Sequence, residues 1–161
     1  MKKKVTQIQD TKGTYHSVYF DQIINSAQEV IHEYFSKGNP LTSPQAVRDQ
    51  LQILLAPSER EIFSVLYLDS QHRLISYKEL FTGTIDSAAV YPREVVKAAL
   101  AANAAAVILA HNHPSGVSDP SNADIRITNR IKDALSLVDI RILDHFIVGE
   151  TTTSFAERGL L

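Results

Sequence analysis

Residues 104–124 read AAAVILAHNHPSGVSDPSNAD, an apolar run that passes directly into two closely spaced histidines. The run at 104–110 has the short, unbroken apolar character of a buried central strand. His111 and His113 follow it two residues apart, so in an extended chain both imidazoles point to the same side. The segment therefore predicts two ligands of one metal ion at the end of a buried strand.

Asp124 extends the core-facing side of a helix that we predict to begin near Asp119-Pro120. Its residues follow one another at intervals of three or four positions, as one face of a helix requires. They are Ser121, Asp124, Thr128, Ile131, Leu135 and Val138. An ionised carboxylate that points inward is unfavourable unless a positive group meets it. Two neutral imidazoles and one carboxylate leave zinc a fourth, open coordination position. Water in that position can attack a polarised carbonyl if a base takes its proton.

Simpler interpretations exist for each of these residues alone. Two histidines at i and i+2 are ordinarily surface residues or satisfied ones, and Ser121 would be a routine first-turn residue that caps the helix. The joint pattern is much rarer by chance, because a Pro-Ser-Gly loop and an inward aspartate follow the buried strand at fixed offsets. We therefore favour a metal site with His111, His113 and Asp124 as its ligands.

The composition fits one globular domain and narrows the chemistry. Of the 161 residues, 44% are hydrophobic and 21% charged, and cysteine is absent. Disulfides, thiolate nucleophiles and cysteine-ligated zinc are therefore excluded. The formal net charge of −2 provides no global positive field for a nucleic acid. The basic start, MKKKVTQIQD, is not followed by an apolar stretch of secretory or membrane-spanning length, so we expect a cytoplasmic protein.

An N-terminal extension, residues 1–42, precedes the predicted main domain. Residues 1–18 are polar, and Gly13 interrupts any regular pattern. Apolar residues at helical spacing then predict an amphipathic helix over 20–36, which Lys37-Gly38-Asn39-Pro40 would end. We place this helix outside the main domain.

The main domain, residues 43–161, alternates helices and strands. Its predicted elements are, in order, a helix capped at Ser43-Pro44, a hairpin of two strands at 61–69 and 73–77, a helix opened by Pro92, the buried strand, the helix that carries Asp124, and a last strand at 140–148 before a polar tail. This order predicts an α/β (α+β) fold in which helices flank a mixed sheet.

The spacing of His111, His113, Ser121 and Asp124 resembles the JAMM signature of MPN+ metalloproteases, H-x-H-x7-S-x2-D, without a departure. The sequence around this signature is similar to that of the bacterial RadC family over residues 43–161. The similar segments are GTIDSAAVYPREVVKAALAANAAAVILA, LVDIRILDHFIVG and SFAERGLL. The resemblance implies the MPN-type α/β fold, which is related to the cytidine-deaminase-like architecture. It also implies a zinc ion, Zn²⁺, on His111, His113 and Asp124.

The resemblance further implies a general base. The family has a glutamate at the head of an early strand, in a pattern like E-x-F-x-V-L-x-L, and EIFSVLYL at residues 61–68 fits it. Glu61 is therefore our candidate for the base that takes the proton of zinc-bound water, with Ser121 hydrogen-bonding the developing oxyanion. Glu59, two residues earlier and of the same side-chain parity, remains an alternative.

The function predicted in this way is that of a JAMM-type zinc hydrolase acting on a peptide or isopeptide bond of an unknown protein or peptide. The alternative is a DNA-associated accessory protein in repair or recombination, as the RadC name implies. Full-length RadC proteins tend to carry an N-terminal helix-hairpin-helix-like region, for which residues 1–42 have no room, so the chain is similar to short RadC-like forms. We expect no strong nonspecific nucleic-acid binding, and the sequence leaves a homo-oligomer open.

Other motifs and residues have simpler explanations. The letters HNH suggest a metal nuclease, but the residues of that motif are spread over a hairpin and a helix. A zinc deaminase needs the cysteines of its P-C-x-x-C signature, which this chain lacks. His145 is better explained as a core histidine, or one that orients the site, than as a metal ligand. Glu94 suits the first turn of its helix, and His16, His32 and His72 are expected at the surface.

Overall fold

The computed structural model describes residues 5–9, 11–36, 43–83 and 89–161, except for the side chains of residues 32 and 34–36. The expected helix stop at 37–40 and the boundary predicted between residues 42 and 43 lie outside the described residues. The elements are β1 (Val5–Gln9), β2 (Tyr15–Tyr19), α1 (Phe20–Ser36), α2 (Pro44–Leu55), β3 (Ile62–Leu68), β4 (Leu74–Thr82), α3 (Pro92–Ala101), β5 (Ala106–Asn112), α4 (Asn122–Ser136), β6 (Arg141–Val148) and β7 (Thr152–Ser154).

A five-stranded mixed sheet lies at the centre, in the order β4-β3-β5-β6-β7. Strand β3 is antiparallel to β4 and β5, β5 is parallel to β6, and β7 is antiparallel to β6. Every residue of β5 is buried, which confirms the predicted central strand. The hairpin of β3 and β4, the helices that begin at Pro44 and Pro92, and the strand β6 are confirmed as well. The α/β fold of a mixed sheet flanked by helices is therefore confirmed.

Helices cover both faces of this sheet because successive residues of a strand point in opposite directions. On one face, Leu66 of β3 and Ile108 of β5 join an apolar cluster with residues of α1 and α2, among them Leu51. On the other face, Val65 joins a cluster with residues of α3 and α4, among them Ile131. Strand β5 is thus enclosed by two helical layers, and its carboxyl end opens beside the start of α4.

Helix α1 has the bounds expected for the amphipathic helix and packs against α2 and β4. The side-chain amide of Gln28 donates to the carbonyl oxygen of Leu54 at 3.1 Å. Helix α2 begins as expected, because the hydroxyl of Ser43 accepts from the backbone N–H of Ala46 at 3.1 Å and Pro44 occupies the first turn. In the part of the chain that the structure describes, no helix has the length and apolar character needed to cross a membrane.

The segment before α1 differs from the prediction. Residues 5–9 and 15–19, expected to be irregular, pair as an antiparallel two-stranded sheet in which Val5 lies opposite Tyr19. Nearly all of their side chains are exposed. Without a buried face, neither strand has the apolar alternation from which strands are predicted.

The expected polar tail is also more ordered than predicted. It contains β7, and Phe155 after it is fully buried. The polar side chains there are satisfied inside the protein, since the hydroxyl of Ser154 donates to Asp144 at 2.6 Å and that of Thr153 donates to Ser118 at 3.1 Å. The strand β7 could not be recognised from its polar composition, because its hydroxyl groups are buried and form hydrogen bonds inside the protein.

Candidate metal centre

Two imidazoles at the end of β5 meet a carboxylate at the start of α4. His111 belongs to β5, His113 follows that strand, and Asp124 lies in the first turn of α4. The Nε2 atoms of the two imidazoles are 2.9 Å apart. Asp124 places Oδ1 3.2 Å from Nε2 of His111 and Oδ2 3.4 Å from Nε2 of His113. The structure therefore brings the three predicted ligands together.

The loop after β5 fixes His113. Its backbone N–H donates to the carbonyl oxygen of Val148 at 2.8 Å, and its Nδ1 lies 2.7 Å from the carbonyl oxygen of Val117. A carbonyl oxygen only accepts, so Nδ1 carries the proton and, in the neutral ring, Nε2 keeps its lone pair. The loop turns at Gly116, whose φ of 83° favours glycine. A Cβ on Gly149 would lie 2.2 Å from the carbonyl oxygen of Gly116, so two glycines allow the loops to touch.

A buried chain of hydrogen bonds fixes His111. The hydroxyl of Thr128 donates to the backbone carbonyl of Asp124 at 2.6 Å, so it accepts from Nδ1 of His145 at 2.7 Å. Nε2 of a neutral His145 then accepts a hydrogen bond from the Nδ1–H group of His111 at 2.8 Å. As a result, a neutral His111 has no proton on Nε2 and faces Asp124 with the lone pair of that atom.

Burial and hydrogen bonding determine the protonation of these groups. Burial lowers the pKa of His145 well below its ordinary value, which keeps its ring neutral. Burial would raise the pKa of Asp124, but the hydrogen bonds that His111 and His113 donate to it whenever their Nε2 atoms carry a proton outweigh this effect and hold that pKa well below its usual range. The hydrogen bond that protonated His113 donates to Asp124 raises the pKa of His113, although burial acts in the opposite direction. Asp124 is therefore ionised at neutral pH.

The geometry fits a bound cation. Nε2 of His111, Nε2 of His113 and a carboxylate oxygen of Asp124 lie within 4.8 Å of one another. All three offer lone pairs, while the Nδ1 protons of both imidazoles are engaged elsewhere. Acceptors that face one another inside a protein are unfavourable unless a positive charge lies between them. Two imidazoles and one carboxylate without a thiolate are a set that zinc accepts, with a fourth position left open.

Asp124 also belongs to a reciprocal cap at the start of α4. The hydroxyl oxygen of Ser121 accepts from the backbone N–H of Asp124 at 3.1 Å, and Oδ2 of Asp124 accepts from the backbone N–H of Ser121 at 2.7 Å. This capping box orients the carboxylate. Ser121 is exposed, and because its oxygen accepts in the cap, its hydroxyl proton remains free to donate.

Asn112 connects this cluster to the segment that carries Glu61. Its Oδ1 accepts from the backbone N–H of Ile62 at 2.8 Å, and its Nδ2 donates to the carbonyl oxygens of Ser58 and Arg60 at 3.3 and 3.0 Å. The chain is therefore held on both sides of Glu61. Sequence analysis missed this role, although an asparagine between two histidines at the end of an apolar strand was a signal, because a buried amide needs partners.

The position of Glu61 differs from that of its rival. Glu61 is half-buried just before β3, whereas Glu59 is exposed. The pKa of His113 is raised mainly by its hydrogen bond with Asp124, and the negative charge of Glu61 adds to that effect. The carboxylate of Glu61 is thus close enough to act on the cluster electrostatically.

Comparison with known proteins identifies the family of the chain. The family model described as a RadC-like JAB domain matches residues 41–160. This chain belongs to the RadC-like JAB domain family. The resemblance to RadC over residues 43–161 is thereby confirmed.

Relatives of this RadC-like JAB domain carry the name UPF0758 protein. One from Vibrio cholerae is 57% identical over 141 residues, which make up 88% of this chain and 90% of the relative. One from Cellvibrio japonicus is 57% identical over 150 residues, 92% of this chain and 67% of the relative. One from a Marinomonas strain is 58% identical over 140 residues, 86% of this chain and 62% of the relative. The chain thus spans most of a short relative and about two thirds of longer ones.

The other titratable residues that the sequence analysis considered have positions that fit a structural or surface role. His145 is fully buried and supports His111 from behind, as expected for a core or orienting histidine. Glu94 lies in the first turn of α3, where a structural role was predicted. His16 and His72 are exposed as expected, while the side chain of His32 lies outside the described residues.

Proposed function

We propose that this chain is a zinc-dependent hydrolase of the JAMM type that cleaves a peptide or isopeptide bond. The observation that carries the proposal is the convergence of three proton-free ligand atoms, from His111, His113 and Asp124, at the end of the central strand. Membership of the RadC-like JAB domain family supports it.

The three ligands would hold the metal through Nε2 of His111, Nε2 of His113 and a carboxylate oxygen of Asp124. A zinc ion bound there would supply a Lewis acid for a carbonyl oxygen and would lower the pKa of a bound water molecule. His145 and Val117 hold the far sides of the two imidazoles. Such outer partners keep ligands in the orientation that a metal needs.

Glu61 is the general base of the proposed reaction. Asn112 holds the backbone on both sides of it, which keeps the carboxylate at the head of β3 next to the end of β5. In this role Glu61 accepts a proton from the attacking water and delivers it to the leaving nitrogen. Its half-buried position and its effect on the pKa of His113, which is raised mainly by Asp124, favour Glu61 over the exposed Glu59.

Ser121 is the proposed donor to the negative charge that develops on the carbonyl oxygen. Its oxygen already accepts from the N–H of Asp124, so the hydroxyl has a fixed position and a free proton. A preorganised donor of this kind stabilises a developing oxyanion.

The substrate is proposed to be a protein or peptide that reaches the cluster from one side. The side chains of His113 and Asp124 are 19% and 13% exposed, whereas that of His111 is 2% exposed. An extended chain that crosses the surface beside His113 can therefore present an amide to the site.

Metal analysis combined with a peptide hydrolysis assay tests this proposal. We expect wild-type protein to hold about one zinc ion per chain and to cleave peptides or isopeptides in a mixed substrate set. Chelation should abolish cleavage and added zinc should restore it. Folded His111→Ala, His113→Ala and Asp124→Ala variants should lose zinc, while a His72→Ala control should keep it. If folded His111→Ala and His113→Ala variants hold as much zinc as wild type, the proposed site is wrong.

A further inference from the structure

A small pocket adjoins His113, one of the proposed metal ligands. Its volume is about 230 Å³, and its lining includes Gln52, His113, Gly116, Val148 and Glu150. Pockets that bind a whole small molecule usually measure about 300–1,000 Å³. This pocket is therefore of a size for one side chain of a longer substrate.

The walls of the pocket are held by hydrogen bonds. Gln52 donates from its side-chain amide to the carbonyl oxygen of Gly149 at 2.7 Å and accepts from the hydroxyl of Thr152. The backbone N–H of Glu150 donates to the carbonyl oxygen of Gly116 at 2.7 Å. These bonds connect α2 with both loops, so the pocket exists before a substrate binds.

Glu150 supplies an unpaired carboxylate to this pocket. Its side chain lies over Gly116, since a Cβ added there would be 3.2 Å from Cγ and 3.5 Å from Oε1 of Glu150. Among the described residues, no hydrogen-bond donor or cation pairs with this carboxylate. Glu157, by contrast, pairs with Arg48 at 2.6 Å. The pocket thus combines a negative charge that lacks a partner with the apolar side chains of Ala56 and Pro114.

We infer that the pocket binds the cationic side chain of a lysine or arginine next to the bond that is cleaved. The inference rests on the proposed function, because that function places the reacting amide beside His113. A lysine or arginine would lay its apolar stem against Ala56 and Pro114 and bring its charged end to Glu150. Glu150 is exposed, and exposed ion pairs are weak. The preference over an uncharged residue should therefore be about two- to fivefold.

A binding measurement tests the pocket without reference to catalysis. Zinc-loaded, ¹⁵N-labelled full chain is titrated with N-acetyl-lysine methylamide or, as the uncharged match, N-acetyl-norleucine methylamide. We expect the lysine probe to shift the backbone amides of Gly116, Gly149 and Glu150 and to bind more tightly than the norleucine probe. Glu150→Gln should remove that difference, and a Glu94→Gln control of equal net charge should retain it. Equal binding of both probes to wild type, or shifts confined to other regions, would overturn the inference.

A cleavage profile separates this inference from the proposed function. In a mixture of peptides and isopeptides of varied sequence, wild-type protein should cut next to lysine or arginine about two- to fivefold more often than next to neutral residues of similar size. Glu150→Lys should shift the preference towards acidic residues. Cleavage with the same profile in wild type and Glu150→Lys would overturn the pocket assignment alone. Selective binding of the lysine probe without any cleavage would support the pocket and count against the hydrolase.

Discussion

Nε2 of His145 lies 2.8 Å from Nδ1 of His111, although the two residues are 34 positions apart and belong to different strands. The other nitrogen of His145 is held by Thr128 at 2.7 Å. This pair determines which nitrogen of His111 carries the proton. Removing such an outer partner typically weakens metal binding about 10- to 100-fold.

We predict that His145→Phe lowers zinc affinity about 10- to 100-fold, because the ring is retained but the buried N–H of His111 loses its acceptor. His145→Gln, which offers an acceptor oxygen, should recover part of the loss. Competition with a chromophoric chelator measures the affinity, and circular dichroism checks the fold. A folded His145→Phe protein that binds zinc like wild type would show that His145 only fills space.

The pKa shifts of Asp124 and His113 predict how metal-free protein responds to pH. The pKa of Asp124 is lowered, so its ionised form adds stability above the unfolded pKa of about 3.9, and this is lost as pH falls towards the folded pKa. The pKa of His113 is raised, so its protonated form adds stability below about pH 6.5, and this is lost as pH rises through the folded pKa. Asp124 and His113 should therefore contribute most to the stability of the metal-free fold between about pH 4 and 6.5.

Thermal melting of chelator-treated protein across this range checks the expectation. Asp124→Asn, which keeps the shape but not the charge, should flatten the dependence. Zinc competes with the proton on His113, so zinc affinity should rise with pH until that proton is lost, at a pKa raised above its ordinary value of about 6.5. A zinc affinity that is constant from pH 6 to 8 would contradict the assignment of His113 as a ligand.

Much of the fold was predictable because the core elements have strong patterns. The apolar run before His111 has the pattern of a buried strand. From Asp124 to Leu135 the inward residues follow one another at intervals of three or four, which placed the carboxylate on the inner face of α4. By contrast, the hairpin of β1 and β2 has no buried face and β7 is polar. Hydrophobic periodicity cannot identify strands of these kinds.

The clustering of His111, His113 and Asp124 could likewise be predicted, whereas most of the contacts that support the cluster could not. His111, His113 and Asp124 have a recognisable spacing along the chain. The contacts of His113 with the carbonyl of Val117, and of Asn112 with Ser58 and Arg60, are made through backbone atoms. Since every residue has a carbonyl group, the sequence does not indicate which residues His113 and Asn112 will contact.

Nonspecific DNA binding should be weak, because the formal net charge is only −2 and affinity of this kind comes from neutralising phosphates with lysine and arginine. An electrophoretic shift assay with random duplex DNA at several salt concentrations tests this. Submicromolar affinity with a steep salt dependence would instead favour the accessory role in repair or recombination.

Glu61→Gln should separate catalysis from metal binding. Glutamine keeps the size of the side chain but cannot accept a proton, so zinc content and melting temperature should remain while turnover falls about 10²- to 10⁴-fold. Glu59→Gln is the matched control and should be nearly neutral, since Glu59 is exposed. If Glu61→Gln keeps wild-type turnover, Glu61 is not the general base. If, in addition, Glu59→Gln is inactive, the base is Glu59.

Ser121 has two separable roles, since its oxygen caps α4 while its proton is free for the substrate. Ser121→Ala removes both, so we expect a stability loss of about 1 kcal/mol from the cap and a turnover loss of about 10²-fold from the missing donor. Zinc should be retained, because the backbone N–H of Ser121 that holds Asp124 at 2.7 Å survives the substitution. Ser121→Thr keeps the hydroxyl and should preserve most of both properties. Zinc content, thermal melting and turnover of the same samples distinguish the roles, and an alanine variant that is less stable but fully active would reduce Ser121 to a helix cap.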